Sequence, residues 1–159
     1  MGSFVNPTNT AFSKCFNSEI YVDKSQLIAF TNKKINSLQQ YICSTRPRRF
    51  GKTMAVDMLA AYYSKGCDSR ELFSKLKIAG LPTFEDELNK NTVIYLDMQE
   101  FRSIARNDKK IEEVVSYMQI EIINELRYVF PDILDENETV LPRALGEIYT
   151  RTGEQFIVI

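Results

Sequence analysis

Residues 41–54 read YICSTRPRRFGKTM, and this stretch decides which fold we expect. It passes from an apolar run through an Arg-Pro turn into Gly51-Lys52-Thr53, and an amphipathic segment follows. A strand, a turn with inward N–H groups and a helix N-terminus, in this order, form a cradle for phosphate. The stretch therefore predicts a phosphate-binding loop between a buried strand and a helix.

The last three residues of the loop have distinct predicted tasks. Gly51 lets the backbone approach phosphate, Lys52 would reach the β- and γ-phosphates as the catalytic residue, and Thr53 would bind Mg²⁺. Arg46 occupies the slot where the pattern G-x-x-x-x-G-K-[ST] begins with glycine, so the full pattern is not met. The tripeptide alone occurs by chance in roughly one chain in ten of this length. A solvated basic turn is the alternative interpretation.

The predicted site extends along the loop and to one distant carboxylate. Arg48 or Arg49 would neutralise phosphate charge, although one of them could instead form a salt bridge across the fold. Asp97 ends the apolar run VIYLD and would contact Mg²⁺ together with Thr53, or else cap a helix. The predicted nucleotide-binding residues are Arg46, Pro47, Arg48, Arg49, Phe50, Gly51, Lys52, Thr53 and Met54.

Composition excludes several other classes of protein. The 159 residues include 44% hydrophobic and 26% charged residues with a net charge of −1, as in one soluble globular domain. Histidine is absent, which excludes Ser-His-Asp and Cys-His catalysis. Cys15, Cys43 and Cys67 lack a C-x-x-C spacing and are expected to be reduced thiols in the cytoplasm, with Cys43 in the core. No apolar run is long enough to predict a membrane span.

The order of predicted elements is strand, helix, strand, helix, strand, which indicates an α/β fold with a parallel sheet. Residues 1–18 are expected to be irregular, and a short strand around Ile20–Val22 precedes a helix capped by Asp23 or Ser25. The central strands are QQYICST, TVIYLDM and QFIVI. One helix is predicted to begin at residue 52 and to stop at Gly66. Two more are predicted within residues 70–78 and 109–130, and a last one is predicted to end at Gly153.

Four segments, YVDKSQLI, RPRRFGKT, LFSKLKI and VIYLDM, resemble the AAA-ATPase-like family of predicted bacterial P-loop ATPases. R-P-R-R-F-G-K-[ST] is the signature of that family, in which arginine at the first glycine slot is normal. The resemblance implies ATP and Mg²⁺ as ligands and a P-loop NTPase-like three-layer α/β/α fold. It assigns residues 21–159 to a partial P-loop ATPase domain and residues 1–20 to an N-terminal arm.

Members of the family are longer, and an acidic Walker B segment follows their third strand. QFIVI occupies the place of that strand, so we expect a fold truncated after its third core strand, with hydrolysis weak or absent. A cloned fragment and a natural short form both fit this pattern. Tyr21, Val22 and Asp23 are candidates for the wall of a base pocket, or else a plain strand and helix cap.

The alternative function is a non-catalytic short P-loop-derived protein that binds another protein or a nucleic-acid enzyme, as an inhibitor or decoy. An open sheet edge would serve that partner or self-association. Direct binding of nucleic acid is not favoured, because the net charge is −1 and we expect no second basic cluster beside RPRRFGK. DILDENET lacks the glycine and the final glutamate of a calcium loop, which favours a helix connection.

Overall fold

The computed structural model of the chain describes residues 2–45, 47–99, 101 and 111–159. Within these residues the fold is built from helices and strands, with 3₁₀ turns at Lys77–Gly80 and Pro82–Glu85. In chain order the elements are α1 (Thr10–Phe16), α2 (Gln26–Asn32), α3 (Lys52–Tyr63), α4 (Arg70–Phe73), β1 (Thr92–Ile94), α5 (Ile111–Val129), α6 (Leu141–Thr152) and β2 (Phe156–Val158).

The sheet has two parallel strands in the described residues, which is compatible with the α/β class. β1 pairs with β2 in the register Thr92 to Phe156, and the pairing continues past the strands because Leu96 N–H donates to the Ile159 carbonyl at 2.8 Å. The other edge of β1 is paired with the N-terminal segment, where Val5 forms an antiparallel bridge to Ile94. Both edges of β1 are therefore occupied.

Hydrophobic cores lie on the two faces of β1, as the alternation of side chains along a strand requires. Val93 packs into a core with α1, α2, α3 and the 3₁₀ turns, where Phe12, Tyr62 and Phe73 are buried. Ile94 packs into a second core with Val5 and α5 and α6. Helices therefore cover both faces of the sheet.

The prediction of a buried strand at residues 39–45 is wrong. The structure assigns no strand there, and Tyr41, Ile42 and Cys43 are exposed. A strand needs a partner for its backbone groups, and β1 is already paired on both edges. The core position predicted for Cys43 is wrong for the same reason, although all three cysteines are free as expected.

The N-terminal region also differs from the prediction. Residues 10–16 form α1 rather than an irregular segment, because Phe12 is buried against Phe73 with ring centroids 5.2 Å apart. The short strand at Ile20–Val22 is absent from the structure, and both Ile20 and Val22 are exposed. The boundary between an arm and a domain at residues 20 and 21 stays a prediction.

The three longest helices are confirmed, with differences at their ends and faces. α3 ends at Tyr63 rather than Gly66, because the Asn89 amide donates to the Ser64 and Ala61 carbonyls at 2.8 and 3.0 Å. On α5, Val115 is exposed, whereas its neighbour Val114 is buried. α6 ends at Gly153 as predicted, in the left-handed conformation with φ 73°.

Candidate functional site

The N-terminus of α3 lies where the sequence predicts a phosphate cradle. Gly51 is left-handed, with φ 70° and ψ 36°, and the helix begins at Lys52. Ala55 N–H donates to the Gly51 carbonyl at 3.1 Å, which is the first hydrogen bond of the helix. The N–H groups of Thr53 and Met54 come before this bond and so have no acceptor within the helix. The helix dipole adds partial positive charge at the same end. The geometry suits an anion.

The loop before α3 is exposed and positively charged. Arg49 is also left-handed, with φ 67°, so the backbone reverses just before Phe50. The side chains of Pro47 to Phe50 are exposed, as are those of Lys52 and Thr53. Within the described residues Arg48 and Arg49 form no salt bridge, so the cross-fold ion pair considered for one of them is not found. Arg46 lies outside the described residues.

Lys24 is a further cation at the loop, which the sequence did not predict. Its Nζ donates to the Phe50 carbonyl at 2.7 Å. A Cβ added at Gly51 would lie 2.8 Å from that nitrogen, which the flexible Lys24 side chain could relieve by moving, so the positive φ angle is the feature that favours glycine here. The available signal was the position of Lys24 in YVDKSQLI, one of the four segments that resemble the family.

Asp23 fixes the backbone next to Lys24. Its two carboxylate oxygens accept hydrogen bonds from the N–H groups of Ser25 and Lys77, each at 2.8 Å. Burial alone would raise the pKa of Asp23, but these bonds, a bond from the Ser25 hydroxyl and the Lys77 charge lower it. Ser25 occupies the predicted N-cap position of α2, yet its hydroxyl accepts from Ile78 N–H at 3.1 Å instead of capping the helix.

Tyr21 faces the core rather than the loop. Its ring packs against Phe12 and Phe16, with centroids 6.1 and 5.4 Å away. Burial, followed by the negative charge of Asp23, raises the pKa of Tyr21 to about 12. Together with the bonds of Asp23, this packing matches the structural interpretation of Tyr21 to Asp23. Their proposed part in a base pocket stays a prediction.

Asp97 follows β1 and caps the next turn. Its Oδ1 accepts a hydrogen bond from Gln99 N–H at 2.7 Å, which is the capping role considered as the alternative to metal binding. Asp57, on the same face of α3 as Thr53 and one turn later, accepts a bond from the Tyr95 hydroxyl at 2.9 Å. Asp57 was not predicted, because nothing in the local sequence brings Tyr95 to it.

The carboxylate of Asp57 lies partly buried and within reach of the charge of Asp97. Burial is the main factor that raises the pKa of Asp57; the Tyr95 bond opposes this shift and the negative charge of Asp97 adds to it. Among residues 2–45, 47–99, 101 and 111–159, no group of three or more His, Cys, Asp or Glu side chains is arranged to hold a metal ion. A metal contact by Thr53 and Asp97 therefore stays a prediction.

Comparison with known proteins identifies one family. The model of the AAA-ATPase-like family, described as predicted AAA-ATPase, matches residues 10–159. Searches among curated proteins and among solved structures returned no match to this chain. Across the described residues, every helix is too short or too polar to cross a membrane. The match covers nearly the whole sequence, and the chain therefore belongs to the AAA-ATPase-like family.

Proposed function

We propose that this chain binds ATP together with Mg²⁺ at the N-terminus of α3. The observation that carries the proposal is Gly51 in the left-handed conformation directly before Lys52 and Thr53, at the start of a twelve-residue helix. Membership of the AAA-ATPase-like family supports the same ligand. The donors fit a polyphosphate, because ammonium, guanidinium and backbone N–H groups all suit phosphate oxygens.

Each residue of the proposed site has a role that follows from its chemistry. Lys52 would bind the β- and γ-phosphates and is the proposed catalytic residue, while Arg48 and Arg49 would neutralise further phosphate charge. Lys24 would hold the loop in place through the Phe50 carbonyl. When bound, Mg²⁺ would neutralise phosphate charge, and the Thr53 hydroxyl and the Asp97 carboxylate are the oxygen donors proposed for it.

Calorimetric titration of Mg-ATP into the wild-type chain, Lys52→Ala and Lys75→Ala tests the proposal. Lys75 is an exposed lysine outside the loop and forms a salt bridge with Glu71, so it serves as the matched control. We expect Lys52→Ala to bind at least about tenfold more weakly, since it loses a charge-assisted phosphate contact. Equal affinity of all three folded proteins would contradict a phosphate site at Lys52.

The metal contact has its own test at Thr53. We expect Thr53→Ala to weaken ATP binding in the presence of Mg²⁺ and to leave binding unchanged when a chelator removes the metal. A loss of equal size in both conditions would mean that Thr53 contacts phosphate or supports the fold instead. The alternative function, a non-catalytic binder, is not proposed, because no contact of the described residues favours it.

A further inference from the structure

The basic residues of this chain are concentrated in one stretch. Residues 24–56 contain seven of the 20 Lys and Arg residues and none of the 21 Asp and Glu residues. The rest of the chain then has 13 basic against 21 acidic residues, a net charge of −8. Lys24, Lys33 and Lys34 form a second basic cluster beside RPRRFGK, which the net charge of the whole chain conceals. The net charge of −1 therefore does not argue against a polyanion as a ligand of this stretch.

Five described cations of this stretch form no salt bridge to a described carboxylate. Within the described residues, Lys33, Arg48 and Arg49 form no salt bridge, and Lys24 and Lys34 donate to the Phe50 carbonyl and the Gln39 amide. The salt bridges of the described residues do not involve Lys24, Lys33, Lys34, Arg48 or Arg49. A cation without a carboxylate partner keeps its full charge for an external anion.

Two contacts close the stretch into one surface. Lys24, before α2, contacts Phe50, and Lys34, after α2, donates to Gln39 at 2.7 Å. The segment from Gln39 to Phe50 therefore begins beside the C-terminal end of α2 and ends beside its N-terminal end. The described side chains from 41 to 50 are all exposed. Cations from both basic clusters thus border the same exposed segment.

The same stretch of the chain carries exposed aromatic rings. The relative exposure is 89% for Tyr41, 58% for Phe50 and 50% for Phe30. Lys34 Nζ lies 5.5 Å from the centroid of the Phe30 ring, a cation–π contact at the edge of the surface. Basic side chains for phosphates and open aromatic faces for bases are the two components of a surface that binds single-stranded nucleic acid.

We propose that residues 24–50 bind single-stranded nucleic acid, through the phosphate backbone and through stacking of bases on Tyr41. A duplex would use the cations but leave the rings without unstacked bases. An anionic membrane would also use the cations, and its binding would not depend on the aromatic face of Tyr41. Lys33, Lys34 and Tyr41 belong to this surface and are not part of the proposed ATP site. They therefore allow the two sites to be tested independently.

Fluorescence anisotropy with a labelled oligo(dT) of about 20 nucleotides, without ATP or Mg²⁺, measures this binding. If the five described cations Lys24, Lys33, Lys34, Arg48 and Arg49 each neutralise one phosphate, raising the salt from about 50 to about 200 mM weakens binding about 100-fold. The variant K33E/K34E should bind at least about tenfold more weakly. Tyr41→Ser should also bind about tenfold more weakly, through lost stacking.

The matched control is K14E/K75E, which makes the same change of charge at two exposed lysines outside the stretch. We expect it to bind the oligonucleotide as the wild-type chain does. K33E/K34E should keep wild-type affinity for Mg-ATP. Lys52→Ala should lose affinity for Mg-ATP, while its affinity for the oligonucleotide should decrease by no more than the loss of one phosphate contact would cause. Failure of the ATP site is thereby distinguished from failure of this surface.

Several outcomes would overturn the proposal. These are no binding to oligo(dT) at low salt, equal weakening by K33E/K34E and K14E/K75E, and equal affinity for a duplex of the same length. Retention by phosphatidylserine vesicles with no binding to oligo(dT) would assign the surface to a membrane instead. Circular dichroism melting of each variant checks that the protein remains folded, since Lys34 is half-buried, whereas Lys14, Lys33 and Lys75 are exposed.

Discussion

Asp57 holds a charge where burial disfavours it. Its carboxylate lies on α3, half-buried beside Tyr95, and burial and the nearby charge of Asp97 raise its pKa. The folded state therefore binds the proton of Asp57 more tightly than the unfolded state does. The ionised carboxylate costs folding free energy above the folded pKa, and this cost disappears as the pH falls below the ordinary value of 3.8.

We expect Asp57→Asn to stabilise the protein at neutral pH, by about 1 kcal/mol at most, because the amide keeps an acceptor for the Tyr95 hydroxyl without the charge. The gain should shrink through the acidic range and vanish near pH 3, where the wild-type carboxyl is also neutral. Urea unfolding at several pH values measures it. Asp86→Asn, at an exposed position with no such bond, should show no comparable gain, and a loss of stability in Asp57→Asn would contradict this account.

At the scale of elements, Arg127 ties the connection after α5 to the helix. Its Nη2 donates to the carbonyls of Asp135, Glu136 and Glu138 at 2.8, 2.9 and 3.0 Å, and its Nη1 donates to Asn124. Three carbonyls directed at one cation resemble half of a calcium site. The guanidinium takes the place of a metal ion here, in agreement with the predicted helix connection.

Arg127→Ala should lower the free energy of unfolding by about 2 to 3 kcal/mol, because three carbonyls lose a charged donor. Arg127→Lys should recover only part of this loss, since an ammonium group keeps the charge but not the planar set of donors. Urea unfolding of both variants is the measurement. The neighbouring Tyr128→Ala, at an 89% exposed position on the same helix, is the control. Full recovery by lysine would mean that charge alone holds the connection.

The elements that could be predicted are those whose signals are local. The helices α5 and α6 carry apolar periodicity, with a glycine stop at Gly153, and α3 begins within the motif Gly51-Lys52-Thr53; all three helices are confirmed. Residues 39–45 carry strand composition, but strand formation also depends on a partner, which local sequence does not specify. Residues 2–9 form no helix or strand, as predicted, but their bridge to the sheet was not predicted. The segment is polar in composition, yet Val5 pairs with β1.

The candidate site divides in the same way. Gly51, Lys52 and Thr53 are adjacent in the chain, so one motif was sufficient to predict where they lie together. Lys24 reaches Phe50 from 26 residues away, and Tyr95 reaches Asp57 from 38 residues away. Such contacts arise from the packing of α2, α3 and β1. A single sequence without a structure gives no direct sign of them.

At the scale of the whole molecule, the N-terminal segment joins the sheet to α5. Backbone bonds connect Phe4 and Asn6 to the edge of β1, and the Phe4 ring stacks on Phe101 at 5.1 Å. The Glu125 carboxylate on α5 accepts three backbone bonds, from Ser3, Phe4 and Val5. A Cβ at Gly2 would overlap with that carboxylate. One glutamate therefore holds the segment between the sheet and a helix of the second core.

We expect Glu125→Ala to lower the free energy of unfolding by about 2 to 3 kcal/mol, because three N–H groups lose a charged acceptor in a partly buried place. The N-terminal segment should then detach from β1 before the rest of the chain unfolds. Hydrogen exchange would show this as faster exchange at Asn6 and Tyr95, whose N–H groups bond across that edge. Glu113→Ala, at an exposed position on the same helix, should leave both rates unchanged. Unchanged exchange rates in Glu125→Ala would mean that packing of Val5 and Phe4 alone holds the segment at the edge of β1. The Glu125 carboxylate would then contribute nothing to this attachment.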